Sequence, residues 1–283
     1  MPKSTEFASS SLTRRFDMTR VENGFVERVA DTVAAEEPLE IRIAYRFKET
    51  QRTTNLALTM RTPGDDRELA AGFLLTEGII QERRHIEELH SVGAPPSNEM
   101  LVKLAPDVDV EAWRIARNNF VNASCGVCGK LTRDAIATQL PKYPDSRLKV
   151  ESRFIETLPE LLAAHQRAFA QTGGLHAAAV VQAGGEVLAV FEDIGRHNAL
   201  DKVIGYSLLE DRVPLTDSVV FLSSRSSFEL IQKAALAGAP VVATVGGPSS
   251  LAIEAARDFG ITLLGFVRRG RFNVYSGAWR IHS

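Results

Sequence analysis

The chain of 283 residues contains two cysteines, and both lie in the segment NASCGVCGK, residues 122 to 130. Thiols at C-x-x-C spacing can contribute to a metal site, form a redox-active dithiol, or carry sulfur as a persulfide. Cys125 and Cys128 are therefore the candidate catalytic residues. Asn, Ser and Gly make this segment a poor helix and a poor strand, which predicts a loop.

The residues alone leave two of these chemistries open. A structural zinc site needs four ligands, whereas this segment supplies two sulfurs and would have to take histidines or a second chain. A thioredoxin-like dithiol belongs where a strand enters a helix, but glycines flank this pair and no β-α-β unit precedes it. A persulfide carrier needs a thiolate, which Lys130 would favour, and a second thiol that can receive or release sulfur. The motif favours redox and persulfide chemistry equally.

Composition and charge narrow the classes of partner. The chain is 45% hydrophobic and 24% charged, with a formal net charge of -2. Without a global basic field, we expect neither nucleic acid nor an anionic membrane as a partner. The polar first residues lack the apolar core of a secretory signal, and no run approaches the roughly 18 apolar residues of a spanning helix. Together with the single thiol pair, these features predict a cytoplasmic protein with reduced cysteines.

The apolar pattern divides the chain into four segments. They are a flexible tail (1–24), an N-terminal subdomain (25–120), a mobile loop with both cysteines (121–137) and an α/β domain (138–283). In the subdomain we expect a β-hairpin over 39 to 62, a helix from Asp65 or Asp66 to Gly78, a strand at 100 to 105 and a helix at 110 to 120.

The α/β domain is predicted to begin with a helix and to continue as a sheet. Thr157-Leu-Pro-Glu160 has the form of a capping box and predicts a helix over 158 to 171, with Phe169 on its buried stripe. Two paired strands then surround Gly184-Gly185, and apolar strands alternate with helices as far as residue 266. This alternation predicts a sheet with parallel strands that is covered on both faces.

Polar side chains gather at the predicted carboxyl edge of this sheet, where ligands bind in open α/β folds. The loops LSSRSS, VGGPSS and FVRRGR each follow a strand, and helix N-termini and guanidinium groups bind phosphate oxygens. No Walker or Rossmann pattern occurs, which argues against a standard nucleotide hydrolase or NAD enzyme. The candidate pocket residues outside FVRRGR are His176, Arg196, His197, Ser224 and Arg225.

Six strings in order along the chain resemble the formate dehydrogenase accessory sulfurtransferases, the FdhD family. They are AAGFLLTEGII, SCGVCG, TGGLHAAA, EDIGRHNALDK, SSRSSFELIQKA and GFVRRGRFNVY. The match runs in order from about residue 31 to residue 276. The resemblance implies an α/β (α+β) fold with a cytidine deaminase-like three-layer core and an added N-terminal subdomain, assembled as a homodimer.

The resemblance also implies a function. Proteins of this family take persulfide sulfur from a cysteine desulfurase and pass it to the molybdenum or tungsten bis(molybdopterin guanine dinucleotide) cofactor, which formate dehydrogenase needs in sulfurated form. The implied partners are therefore a cysteine desulfurase and the formate dehydrogenase catalytic subunit, with no structural metal. The alternatives are a non-catalytic chaperone of this cofactor and a C-x-x-C thiol-disulfide oxidoreductase.

The resemblance assigns residues by position. Cys125 matches the persulfide-bearing cysteine and Cys128 its partner, and the segment matching the cofactor-binding residues comprises Phe266, Val267, Arg268, Arg269, Gly270 and Arg271. Gly246-Gly247-Pro248 stands where a Ser-Ala-Pro-like or Ala-Ala-Thr-like loop is expected, so the chain departs from the family pattern at a predicted phosphate contact. A zinc deaminase is excluded, because its His-x-Glu or Cys-x-Glu and later Pro-Cys-x-x-Cys are missing.

Overall fold

The computed structural model describes residues 12–111, 113 and 146–283. In these ranges six α-helices and fourteen strands form a mixed α/β fold, which confirms the predicted fold class. Cys125, Cys128 and most of the helix predicted at 110 to 120 lie outside the described residues. The predicted boundaries of the cysteine loop, residues 121 and 137, also lie outside the described residues. The loop and its separation from the flanking domains therefore stay predictions.

The first described element is a β-hairpin, and the flexible tail expected as far as residue 24 is wrong for this part. Strands β1 (Thr13–Glu22) and β2 (Phe25–Ala34) pair antiparallel over their whole length. Asn23 and Gly24, with φ of 50° and 83°, make the turn, as Asn-Gly does in tight hairpins. Most side chains of this hairpin are exposed. Its strands therefore lack the alternation of buried and exposed residues that would have identified them in the sequence.

A four-stranded sheet follows, in the order β4-β3-β6-β5. Its strands are β3 (Glu37–Phe47), β4 (Thr50–Arg61), β5 (Ile86–Ser91) and β6 (Glu99–Leu104), and a short 3₁₀ helix covers Arg83–His85. The first two strands confirm the predicted hairpin, and β6 confirms the predicted strand at 100 to 105.

Helix α1 (Asp66–Thr76) packs against this sheet and carries Leu69 and Leu74 into the core. The predicted N-cap position is confirmed, but the capping hydrogen bond is not. Asp65 is the N-cap residue but makes no capping hydrogen bond, while Asp66 accepts from Arg61 Nε at 2.8 Å. The pairing with the buried arginine takes the carboxylate that would otherwise bond the helix amides.

The C-terminal half is built on a six-stranded sheet in the order β13-β12-β11-β10-β8-β9. The strands are β8 (His176–Gln182), β9 (Val187–Asp193), β10 (Ser218–Leu222), β11 (Val241–Thr244), β12 (Thr262–Arg268) and β13 (Arg271–Ser276). The three central strands β10, β11 and β12 are parallel, as predicted, whereas the outer strands are antiparallel to their neighbours.

Helices cover both faces of this sheet. The core on one face includes residues of α4 (Arg196–Leu209), α5 (Phe228–Leu236) and α6 (Ser250–Asp258). The core on the other face is formed with α2 (Ser152–Ala163), which the short helix α3 (Arg167–Thr172) follows. Two-residue strands β7 (Val150–Glu151) and β14 (Ile281–His282) pair beside a 3₁₀ helix at Ala278–Arg280.

The helix predicted over 158 to 171 is wrong in its bounds. The observed helix α2 begins six residues earlier, at Ser152, and ends at Ala163, so that Pro159 lies inside it. Its buried residues Ile155, Leu158 and Leu162 share one face, and this burial decides where the helix lies. Phe169, expected in the buried stripe, is in α3 and is exposed.

The two halves share one hydrophobic core, because α1 crosses α4 at a contact between glycines. A Cβ atom on Gly72 would lie 1.8 Å from the carbonyl oxygen of Asp201, and one on Gly205 would lie 1.8 Å from that of Glu68. Only glycine permits backbones to approach this closely. Among the described residues, no helix is long and apolar enough to cross a membrane.

Candidate functional site

The candidate site lies at the edge of the C-terminal sheet where the parallel strands end. The antiparallel strand β8 begins at this edge and β9 ends there, since His176 pairs with Asp193. Ser223, directly after β10, donates its amide to the carbonyl of Ala177 at 2.9 Å. The strand order therefore brings the ends of five strands together, as the sequence analysis expected.

Three loops at this edge are hydrogen-bonded to one another. The amide of Gly246 donates to the carbonyl of Ser224, and the amide of Phe266 donates to the carbonyl of Gly246, both at 3.1 Å. A second contact joins the first two loops, where the amide of Ser249 donates to the carbonyl of Ser226 at 3.1 Å. These bonds hold the predicted loops LSSRSS, VGGPSS and FVRRGR as one surface, which we call the rim.

The glycines of VGGPSS allow the close packing of the rim. A Cβ atom on Gly246 would lie 2.8 Å from Cγ of Arg225, and one on Gly247 would lie 2.6 Å from the ring of Phe266. The Gly246-Gly247 pair, which departs from the expected loop sequence, is explained because neither position has room for a side chain. Phe266 itself has φ of 54°, a backbone region that a bulky residue rarely adopts, and such conformations cluster at functional sites.

The β12–β13 hairpin presents most of the predicted cofactor-binding segment. Gly270, with φ of 75°, makes its turn, and the arginines at 268, 269 and 271 are exposed. Arg269 also lies 3.7 Å from Glu160 of α2. Val267 is fully buried in the core formed with α2, so its side chain cannot contact a ligand and only its backbone remains to do so.

The remaining predicted residues lie at the same edge but differ in what they expose. Arg225 is exposed, whereas Ser224 is buried and its hydroxyl donates to the carbonyl of Arg225 at 3.0 Å. The Ser224 side chain therefore supports the loop. His176, Arg196 and His197 are half-buried at the ends of β8 and β9 and the start of α4.

Both histidines are held towards their neutral form. Burial lowers the pKa of His176 below its ordinary value, and the charge of Arg196 lowers it further. Burial also lowers the pKa of His197, with added contributions from Arg196 and Lys233. Within the described part of the chain, His197 Nε2 is buried without a hydrogen-bond partner. A neutral imidazole in this state can donate to or accept from a ligand.

Asp193, a residue that the sequence analysis did not assign, orients the start of α4. One carboxylate oxygen accepts from the amide of Gly195 at 2.8 Å and from Nδ2 of Asn198 at 3.1 Å. The other accepts from the amide of Thr62 and lies 2.8 Å from Nζ of the fully buried Lys202. Asp193 thereby fixes the helix turn that carries Arg196 and His197. The available signal was its place in the polar run EDIGRHN, residues 192 to 198, at the end of an apolar strand.

The comparisons with known proteins agree with this architecture. The family model described as the FdhD/NarQ family matches residues 34–282. A protein named "Sulfur carrier protein FdhD" from Streptomyces coelicolor is 44% identical over 95% of this chain and 96% of its own length. One with the same name from Saccharolobus solfataricus is 39% identical over 95% and 98%.

A solved structure shows the same fold. It is assigned to a formate dehydrogenase accessory protein from Desulfotalea psychrophila, covers 96% of this chain and 100% of its own, and superposes with a TM-score of 0.74 at 23% sequence identity. The family match extends over nearly all described residues, including the rim and the first turn of α4. The chain is a member of the FdhD/NarQ family.

Proposed function

We propose that this protein is a sulfurtransferase that carries persulfide sulfur from a cysteine desulfurase to the bis(molybdopterin guanine dinucleotide) cofactor of formate dehydrogenase. The observation that carries the proposal is the rim, where three loops, the exposed arginines and the start of α4 meet at the carboxyl edge of the sheet. Relatives named sulfur carrier proteins support it, as does the C-x-x-C pair in the sequence.

The donor set of the rim fits a ligand with phosphate groups. Arginine side chains bind pyrophosphate oxygens through paired N–H groups, and α5 and α6 both begin beside the loops of the rim. Arg225, Arg268 and Arg271 would hold the pyrophosphate, and the loop amides would add donors. The cofactor is the substrate here, and it supplies the metal to which sulfur is delivered.

Cys125 would accept the sulfur. Its thiolate attacks the outer sulfur of the desulfurase persulfide, the sulfur–sulfur bond of the donor breaks, and the desulfurase cysteine leaves as a thiolate. Cys128 would assist or relay this sulfur. The partners are a cysteine desulfurase, the formate dehydrogenase catalytic subunit and a second copy of this chain in a homodimer, in the cytoplasm.

Mass spectrometry of the intact protein tests the carrier function. The chain is incubated with a cysteine desulfurase, L-cysteine and pyridoxal phosphate, and wild type is compared with Cys125→Ala and Cys128→Ala. We expect a gain of one or more sulfur masses that reductant reverses and that Cys125→Ala abolishes. No gain, in an assay that loads a control acceptor, would overturn the carrier function and favour the chaperone alternative, for which the rim alone suffices.

A further inference from the structure

The start of α4 is held by a buried ion pair that faces the N-terminal subdomain. Asp193, at the end of β9, and Lys202, on α4, have fully buried side chains, and the carboxylate lies 2.8 Å from the ammonium group. A buried ion pair is weak evidence for stability, because well-packed apolar residues in its place are often no less stable. Its charges also cancel, so it adds little attraction for an anionic ligand at the rim. The pair is better explained by the backbone geometry that it fixes.

Thr62, directly after β4, connects this ion pair to the N-terminal subdomain. The residue is fully buried, and its three polar groups all bond to the C-terminal half. Its amide donates to Asp193 at 3.2 Å, its carbonyl accepts from Lys202 at 3.1 Å, and its hydroxyl accepts from the amide of Ile194 at 3.0 Å. Because Thr62 has no exposed surface, it cannot itself contact a ligand.

Two residues at the end of β4 bond to the same turn. Asn198 of α4 donates to the carbonyl of Met60 at 2.8 Å, and its side-chain oxygen accepts from the hydroxyl of Thr59 at 3.3 Å. With the three bonds of Thr62, five hydrogen bonds join residues 59–62 to residues 193–202. The hydroxyl of Thr62 makes one of them through a side chain, so a substitution can remove this bond and leave the backbone bonds in place.

Arg196 and His197 lie on the turn that these bonds hold. Both are half-buried, and within the described part of the chain His197 Nε2 is buried without a hydrogen-bond partner. Ordering side chains and backbone at the moment of binding costs free energy, and a turn that is fixed beforehand avoids this cost. A loose turn would therefore weaken binding even if every side chain that contacts the ligand were intact.

We propose that Thr62 is a positioning residue of the ligand site. Its hydroxyl, bound to the amide of Ile194, holds the start of α4 so that Arg196 and His197 are presented to the ligand at the rim. The N-terminal subdomain then contributes to binding without contacting the ligand. In return, the bound ligand stabilises the contact between the two halves, because coupling between two equilibria is reciprocal. This inference rests on the proposed function for the identity of the ligand.

Titration calorimetry of the full chain with GDP, a fragment of the proposed cofactor, tests the inference. Thr62→Val keeps the branched shape of the side chain and replaces the hydroxyl with a methyl group, so it should weaken GDP binding by about 10-fold. Thr62→Ser keeps the hydroxyl and should bind GDP as the wild type does. This rescue distinguishes positioning from packing, because serine fills the buried site less well than valine.

Thr262→Val is the matched control. Thr262 is also fully buried, and its hydroxyl donates to the carbonyl of Gly277 at 2.8 Å. It begins β12 and so lies at the opposite edge of the sheet from the rim. Thermal denaturation should show a lowered midpoint for both valine variants, whereas GDP affinity should fall in Thr62→Val alone. An equal loss of affinity in both variants would show general destabilisation and overturn the positioning role.

The outcomes separate this inference from the proposed function. Wild-type affinity in Thr62→Val, or an equal loss in Thr62→Ser, would overturn the inference alone. If the valine variant does not fold, Thr62→Ala takes its place, since it differs from Thr62→Ser by the hydroxyl alone, and it should weaken GDP binding to the same extent. Absence of GDP binding by the wild type would overturn the rim as the nucleotide site and this inference with it, while sulfur loading of Cys125 tests the carrier function separately.

Discussion

At the scale of single residues, Asp65 is a carboxylate whose ionised form is destabilised by burial in the folded protein. It is the N-cap residue of α1, with φ of 56°, and burial raises its pKa to about 6. Lys202 opposes this rise, and Glu68, Asp66 and Asp193 add to it. The folded protein therefore holds a proton on Asp65 at pH values at which the unfolded chain has lost it.

The raised pKa of Asp65 makes its contribution to stability depend on pH. The favourable contribution of the protonated carboxyl is complete below the unfolded pKa of about 3.8 and is lost as the pH rises through about 6. At pH 7, Asp65→Asn should raise the free energy of unfolding by ~1–2 kcal/mol, because asparagine tolerates positive φ and removes the buried charge. Urea unfolding at pH 7 and pH 4 measures this, and the gain should disappear at pH 4.

Asp211→Asn is the matched control for this prediction. Asp211 also has positive φ, at 54°, but is exposed, so its substitution should change stability by less than about 0.5 kcal/mol. A loss of stability in Asp65→Asn at pH 7 would mean that the attraction to Lys202 outweighs burial.

At the scale of elements, the crossing of α1 and α4 holds the two halves together. A methyl group on Gly72 would meet backbone atoms of Asp201, which cannot move as a flexible side chain can. Gly72→Ala should therefore lower the free energy of unfolding by about 2–3 kcal/mol, although alanine is by itself the better helix former. Chemical denaturation measures the change.

Gly184→Ala provides the control for the crossing, since no atom lies within 4 Å of its added Cβ and its φ is not positive. This variant should keep the stability of the wild type to within about 0.5 kcal/mol. Equal stability of the Gly72 and Gly184 variants would show that the two helices can separate without loss, and would contradict the tight crossing.

The elements also show what the sequence can and cannot predict. The alternation of strands and helices from residue 176 to residue 266 was predicted, because short apolar runs alternate there with helical segments. Helix α2 was misplaced, because the apparent capping box at Thr157 lies inside a helix that burial of Ile155 extends towards the N-terminus. The hydroxyl of Thr157 instead donates to the carbonyl of Phe154 at 2.7 Å.

The candidate site divides in the same way. The rim was predictable, since loops after parallel strands must meet at one edge of a sheet. The pocket of about 500 Å³ between the two halves, which Met60, Phe73 and Glu229 line, could not be predicted. Its walls on β4 and α1 come more than 100 residues before Glu229 in the chain. No local pattern relates Met60 or Phe73 to the start of α4, and only the helix crossing brings them together.

At the scale of the whole molecule, the shared core predicts that both halves unfold together. One hydrophobic cluster contains residues of the N-terminal sheet, α1, α4 and the C-terminal sheet, and the Thr76–Lys233 hydrogen bond joins α1 to α5. The two tryptophans report separately on the halves: Trp113 Nε1 donates to the carbonyl of Glu77, and Trp279 lies against Arg280 near the C-terminus.

Single-tryptophan variants therefore test cooperativity. Trp113→Phe and Trp279→Phe each leave one reporter, and their urea transitions, followed by fluorescence, should have the same midpoint as the circular dichroism of the same variant. Adding Gly72→Ala to each single-tryptophan variant should lower the urea midpoint of both reporters equally, since unfolding one half exposes the core of the other. Separate midpoints for the two reporters in variants of equal overall stability would show that the N-terminal subdomain unfolds alone. In that case the pocket between the halves would be lost before the rim.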